Sequence, residues 1–269
     1  MNSFQKVKPM ITSLDPSITP EEEAHRLAIV EYALAQNQVV PYYQGLYNNH
    51  TSSIDKYEAL MRICGPDGTI YSPGFFMPTA KRNGLYLELN LAMYAQVFHD
   101  FSSLDCPFSL NLSPYHLRSE SFCDMVFSYL ESFHKPSNVV LEILEDECAI
   151  DIDVFEPFVE KARGYGAKIA VDDFGAGYSN LLAILKLRPD YLKIDGKIIK
   201  DVHTCFENEV IVETVSNMGQ KLSIDLVAEF VENADIQKVI EQHGILYSQG
   251  YHFSKPAPFS AVCLAEKKI

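Results

Sequence analysis

An α/β fold of the TIM type, a (β/α)8 barrel with its first two strands antiparallel, is what this sequence predicts, and three observations predict it. Eight short apolar segments are spread over roughly 250 residues, most are followed by a helical pattern, and no Pro/Gly/Ser-rich linker interrupts the series.

The elements follow in chain order. A polar lead-in over 1–18 is expected to precede a single domain over 19–269. The stretch ITPEEEAHRLAIVEYALAQNQ reads as an amphipathic helix, with Thr19 as N-cap, Pro20 in the first helical position and acidic residues in the first turn. Strands are expected over 39–48, 52–63, 107–113, 139–145, 167–174, 191–196, 222–231 and 245–253. The first two are joined by NNHT alone, too short for a crossover helix, hence the antiparallel pair. Patterns such as ESFCDMVFSYLESF, VFEPFVEKARGYG, NEVIVETVSNMG and NADIQKVIEQHG supply crossover helices for the later strands.

Alternation within the strands locates the chemistry. In PFSLNLS, Phe108, Leu110 and Leu112 share one face, while Ser109, Asn111 and Ser113 share the other. In LSIDLVAE, Ile224, Leu226 and Ala228 oppose Asp225, Val227 and Glu229. One face suits packing against helices and the other turns polar groups into the barrel. The same parity turns Glu142, Asp172, Lys193 and Gln249 inward, near the C-terminal strand ends where barrels of this type carry their active sites. The mouth thus gathers Glu58, Asn111, Glu142, Asp172, Asp173 and Glu229 as oxygen donors, with Lys193 and Gln249 beside them. So many carboxylates repel one another unless cations neutralise them. An all-oxygen set without histidine suits Mg²⁺ or Mn²⁺ rather than zinc.

Composition narrows the partners. A formal net charge of -14 opposes attachment to nucleic-acid polymers or anionic membranes, so an anionic substrate needs local cations. The six cysteines form no CxxC pair, which favours reduced thiols and a cytoplasmic setting. Neither a signal-peptide h-region nor a bilayer-spanning apolar run is present, and no membrane insertion is expected.

The motifs YEALMR (57–62), NLSP (111–114), EILE (142–145), DDFGAGYSNL (172–181), LKID (192–195), VAEFVE (227–232) and QGYHFSKP (249–256) together resemble, in order, those of the EAL domain, the phosphodiesterase of cyclic di-GMP. The resemblance implies two metal ions per site. Glu58, Asn111, Glu142 and Asp172 match ligands of one ion; Asp172 bridges to a second, which Asp173 and Glu229 help to hold. It also implies that Lys193 orients the attacking water, with Glu58, Lys193 and Glu229 as the catalytic set. Gln249 supports the site and joins Gln44 and Arg62 as a substrate contact, Arg62 facing a phosphate. Glu145 anchors the loop after Asp173, and the DDFGAGYSNLLAIL segment is similar to one that links a homodimer interface to the metal site.

The expected reaction is hydrolysis of one phosphodiester of cyclic di-GMP to linear pGpG. Two bridged metals lower the pKa of a shared water and clamp the phosphoryl oxygens, which a poor electrophile requires. The rival from another class is a catalytically inactive cyclic di-GMP sensor or protein-docking module with the same fold; sensors typically lose a ligand, and this chain retains all of them. A further rival, an enolase-like barrel using Lys193 as base, sits poorly with the adjacent Asp172 and Asp173. Departures from the family pattern are QGLYN in the first strand, Phe230 in place of a usual glycine, and Lys81 and Arg82 in place of acidic residues. Tyr251 and Phe253 are the aromatics expected to stack on guanine, and His116, His203 and His252 read as surface or rim residues.

Overall fold

The computed structural model describes residues 18–177 and 181–266. Residues 1–17 of the lead-in and Tyr178, Ser179 and Asn180 of the DDFGAGYSNL motif lie outside the described residues. The strands are β1 (Val39–Asn48), β2 (Ser53–Cys64), β3 (Ile70–Tyr71), β4 (Phe108–Asn111), β5 (Val139–Leu144), β6 (Lys168–Phe174), β7 (Tyr191–Ile194), β8 (Asp225–Ala228), β9 (Tyr247–Ser248) and β10 (Ala257–Pro258). The α-helices are α1 (Pro20–Ala35), α2 (Pro73–Arg82), α3 (Tyr86–Asp100), α4 (Pro114–Leu117), α5 (Glu120–Ser132), α6 (Glu145–Tyr165), α7 (Leu181–Leu187), α8 (Gly196–Ile199), α9 (Phe206–Leu222), α10 (Ala234–Gln242) and α11 (Phe259–Glu266).

The described residues divide into two compact units, one of 18–42 with 60–100 and the other of 43–59 with 101–177 and 181–266. In the first, α1 starts at a reciprocal cap: the Thr19 hydroxyl accepts the Glu22 N–H at 3.2 Å and the Glu22 carboxylate accepts the Thr19 N–H at 2.9 Å. Ile29, Val30 and Ala33 of α1 and Phe76 and Ala80 of α2 are buried there. The Arg82 guanidinium is held by Glu23, whose carboxylate also accepts the Thr79 hydroxyl.

The second unit contains β4 to β9 entire, with the larger part of β1 and of β2. They run β1-β9-β8-β7-β6-β5-β4-β2, and β1 pairs back to β2 to close the ring, the two being antiparallel as their short connection predicts. From β2 through β4 to β9 neighbouring strands are parallel, whereas β9 meets β1 antiparallel.

Two predicted strands are shortened for visible reasons. Leu222 ends α9, Ser223 takes a left-handed conformation at φ 57, and β8 begins only at Asp225. Strand β9 stops at Ser248 because the chain then turns: Gly250 lies against the Val231 backbone, where any Cβ would fall 2.1 Å from the Val231 oxygen, and Phe253 N–H returns to the Gly250 carbonyl. The two-residue strands β3 and β10 are too short for alternation to reveal. Helix α6 starts directly at Glu145, earlier than the VFEPFVEKARGYG pattern, and kinks at Asp151.

The barrel interior is layered. Leu46, Val140, Ala170, Tyr191, Val227 and Tyr247 form one buried cluster. Two residues onward along the parallel strands stand Glu142, Asp172, Lys193, Glu229 and Gln249, and two residues back along β1 stands Gln44. The period of two thus lays a polar row over an apolar one. On β2 the same step separates Glu58 from Lys56, whose ammonium lies 3.9 and 4.0 Å from the ring centroids of Tyr191 and Tyr247. Burial pushes the Lys56 amine down to about 8, although Asp55 favours its charge.

Candidate active site

Lys193 is the centre of the polar row. Only 1% exposed, its Nζ lies 3.3 Å from Glu58, 3.1 Å from Glu142, 3.0 Å from Asp172 and 2.9 Å from Glu229. Strands β2, β5, β6 and β7 bring in the first three carboxylates and the lysine, and Glu229 follows immediately on β8. The Gln249 amide donates to Glu58 Oε2 at 2.6 Å and to Gln44 Oε1 at 3.4 Å, while Gln44 donates to the Ser254 carbonyl at 2.9 Å. Asn111 Nδ2 reaches Glu58 Oε1 at 3.5 Å.

Alternation alone sends Asp172 and Asp173 to opposite faces, yet their carboxylates meet. The β6–β7 register shifts between Val171 and Phe174, and Asp173 adopts φ 58, a left-handed conformation that aspartate tolerates better than most residues. One oxygen each from Asp172, Asp173 and Glu229 lie within 4.8 Å of one another, and so do oxygens of Glu58, Glu142 and Asp172. Asp172 belongs to both triads.

The loop beyond Asp173 is tied at several points. Glu145 Oε2 accepts the Gly175 N–H at 2.9 Å. Gly175 has φ 89, a conformation that favours glycine, and a Cβ there would lie 2.4 Å from Ile198 Cδ1.

Electrostatics follow from burial and crowding. Burial raises Glu142 to about 8 against the opposing pull of Lys193, with Glu58 and Asp172 adding like charge. Burial and the neighbouring charges of Asp172 and Asp195 raise Asp173 to about 6. Burial likewise lifts Asp172 and, further, Glu229. For Glu58 the Lys193 ammonium and the Gln249 hydrogen bond outweigh burial and hold the carboxyl low. Burial works against the Lys193 charge, but the surrounding carboxylates keep its pKa well above the ordinary lysine range. One ammonium does not balance five carboxylates. Glu229 Oε2 is buried without a hydrogen-bond partner, and the donors are hard oxygens, so the residues present fit divalent ions of the Mg²⁺ or Mn²⁺ class.

The remaining candidates fall differently. Arg62 belongs to the first compact unit, where its Nη1 donates to the Met61 carbonyl at 2.7 Å and its guanidinium lies 5.7 Å from the Tyr42 ring centroid. Phe253 is stacked on Tyr47 at 4.0 Å, so that face is closed to a base, whereas Tyr251 is exposed. His116 is a correction: it is fully buried beside Tyr115 and Phe122, because the short helix α4 folds it inward. Asp195 is a site neighbour that strand alternation misses. It caps α8 through the Lys197 N–H at 2.7 Å and places its charge beside Asp173, and the signal that could find it is its position at the end of LKID.

The family model described as "EAL domain" matches residues 28–256. The "Probable cyclic di-GMP phosphodiesterase PdeG" of Escherichia coli (strain K12) is 32% identical over 253 residues, covering 90% of this chain and 48% of that protein. The chain spans about half or less of the length of such curated relatives. Among solved structures, "PaMucR Phosphodiesterase, c-di-GMP complex" superposes with a TM-score of 0.82 at 27% identity, covering 88% of this chain and 99% of that one. The manganese and cyclic di-GMP complex of BlrP1 from Klebsiella pneumoniae gives 0.73 at 27% identity, covering 82% of this chain and 56% of that one.

Proposed function

This chain belongs to the EAL domain family, and from that premise we propose that it is a phosphodiesterase hydrolysing cyclic di-GMP to linear pGpG with two divalent ions, Mg²⁺ or Mn²⁺. The observation that carries the reading is the completeness of the acidic cluster: Glu58, Glu142, Asp172 and Glu229 surround Lys193, and Asp173 joins Asp172 and Glu229, with no member replaced. Under this reading Glu58, Asn111, Glu142 and Asp172 hold one ion and Asp172, Asp173 and Glu229 the other. The ions, when bound, supply Lewis acidity that activates water and offsets phosphoryl charge.

The chain's own residues do the rest. Lys193, fixed by four carboxylates, presents an ammonium that donates to the attacking water and orients it. Gln249 holds Glu58 in place, and with Gln44 and Arg62 it contacts the substrate. Glu145 fixes the loop that follows Asp173. The proposed setting is the cytoplasm, where the free thiols of Cys64, Cys106, Cys123, Cys148 and Cys205 stay reduced.

The test incubates the protein with cyclic di-GMP and Mn²⁺ and resolves products by chromatography. The wild type is expected to form pGpG and Glu58→Ala to lose at least about 100-fold in rate, since losing a ligand exceeds the effect of losing an outer partner. Binding without pGpG would replace this reading with the sensor or docking module.

We further propose a homodimer. The packed helices α6 and α7 leave Ile150, Leu181 and Leu182 exposed, Leu182 at 77%, and exposed apolar side chains grouped in this way mark a surface that a protein partner covers. Among the described residues no helix is long and apolar enough to cross a membrane. Light scattering is expected to give twice the chain mass for the wild type and the single-chain mass for Leu182→Glu; a monomeric wild type at high concentration refutes the dimer.

A further inference from the structure

Phe230 directly follows Glu229 at a position where the EAL motif usually has glycine. It keeps a glycine-like backbone, with φ 53, although an aromatic residue adopts that conformation rarely. The residue is 47% exposed, yet its ring packs on α8: a Cβ built on Gly196 would fall 2.3 Å from Phe230 Cδ2 and 2.6 Å from Cγ. Lys200, just beyond α8, holds its ammonium 4.4 Å from the ring centroid.

The same four-residue helix meets the loop that carries Asp173. The N–H of its N-cap Asp195 donates to the Phe174 carbonyl at 3.1 Å, Lys197 Nζ donates to the Ala176 carbonyl at 3.0 Å, and Ile198 fills the space above Gly175. Beyond Phe230 the chain is pinned again, with Val231 N–H donating to the Gln249 carbonyl at 3.0 Å. Asp173, near the end of β6, and Glu229, just after β8, are therefore both braced on α8, one through the loop that follows it and the other through the Phe230 ring. Glycine could follow the same turn but would leave Glu229 without that brace.

We propose that Phe230 is a positioning residue that props Glu229 against α8 and so sets its separation from Asp173 at the second divalent-ion position. The inference rests on the two-ion reading of the site. Outer contacts of this kind govern how well a ligand set is held in place, and losing one commonly weakens an ion by about 10-fold to 100-fold.

Mn²⁺ alone is the probe, titrated into the metal-free full chain and followed by the electron paramagnetic resonance of the free ion. The wild type is expected to take up two ions. Phe230→Gly, chosen because glycine prefers this backbone, is expected to weaken the second ion about 10-fold and leave the first unchanged. Phe230→Tyr, which keeps the ring, should match the wild type. In parallel, Phe230→Gly should raise the Mn²⁺ concentration for half-maximal hydrolysis while leaving KM for cyclic di-GMP unchanged at saturating Mn²⁺. If Phe230→Gly binds both ions as the wild type does, or loses both equally, the positioning role is overturned. A wild type that binds fewer than two ions fails the two-ion reading itself, and this inference with it.

Discussion

Lys193→Met is expected to lower the rate of cyclic di-GMP hydrolysis by about 10²- to 10³-fold and to destabilise the metal-free protein by about 3–5 kcal/mol. The catalytic loss follows from removing a preorganised donor, a role that a mobile water does not fill. The stability loss has a separate origin. Four carboxylates within 3.3 Å of the Lys193 ammonium become mutually repelling buried anions when it is removed, and methionine fills the volume without supplying charge. The sign of its pH dependence is fixed by Glu142, whose folded pKa of about 8 already exceeds its ordinary 4.5. A raised carboxyl favours the folded state at acid pH and loses that contribution as pH climbs from 4.5 through 8. Without Lys193 the carboxyls rise further. The destabilisation is therefore expected to be largest near pH 8 and smaller near pH 5.5, where protonation relieves the repulsion. Chemical denaturation in EDTA at the two pH values measures it, and an equal loss at both would contradict the account.

Asp173→Asn is expected to reduce Mn²⁺-dependent hydrolysis by about 100-fold or more, while cyclic di-GMP still binds. The substitution keeps the size of the side chain and removes one charge from the Asp172–Asp173–Glu229 triad alone. The other triad, Glu58, Glu142 and Asp172, does not include it. Asparagine also tolerates the φ of 58 found there, so the turn survives. Single-turnover measurements separate this loss of rate from any loss of substrate affinity. Unchanged metal-dependent hydrolysis would refute the role given to the second triad.

Most of this architecture is legible in the sequence because its signals are local. Val140 and Glu142, Ala170 and Asp172, Tyr191 and Lys193, and Val227 and Glu229 repeat one apolar-to-polar step, so alternation finds both rows at once. Thr19 and Glu22 likewise announce the start of α1 within a single turn. What stays hidden depends on distant backbone. The carboxylate of Asp173 joins the site only through a shifted register and a left-handed turn, neither of which alternation encodes. The apolar run 245–253 reads as one strand, yet Gly250 must fold against Val231, which precedes it by a whole helix, and that contact ends β9. His116 looks like a rim residue by composition and is buried by the packing of Tyr115 and Phe122 around it.

The two-row interior has a consequence for how such a gene can change. The lower row, from Leu46 to Tyr247, packs the strands against one another through apolar contact, whereas the upper row gathers Lys193 and the carboxylates of the proposed site. Under the proposed function, a single codon exchange at Asp173 is expected to silence hydrolysis while the apolar row beneath is left unchanged. A one-residue deletion within a strand does the opposite, because it swaps inward for outward along the rest of that strand. Under the proposed function, drift from hydrolase to receptor is accordingly a short mutational walk, and substitutions rather than length changes are the steps that this barrel permits.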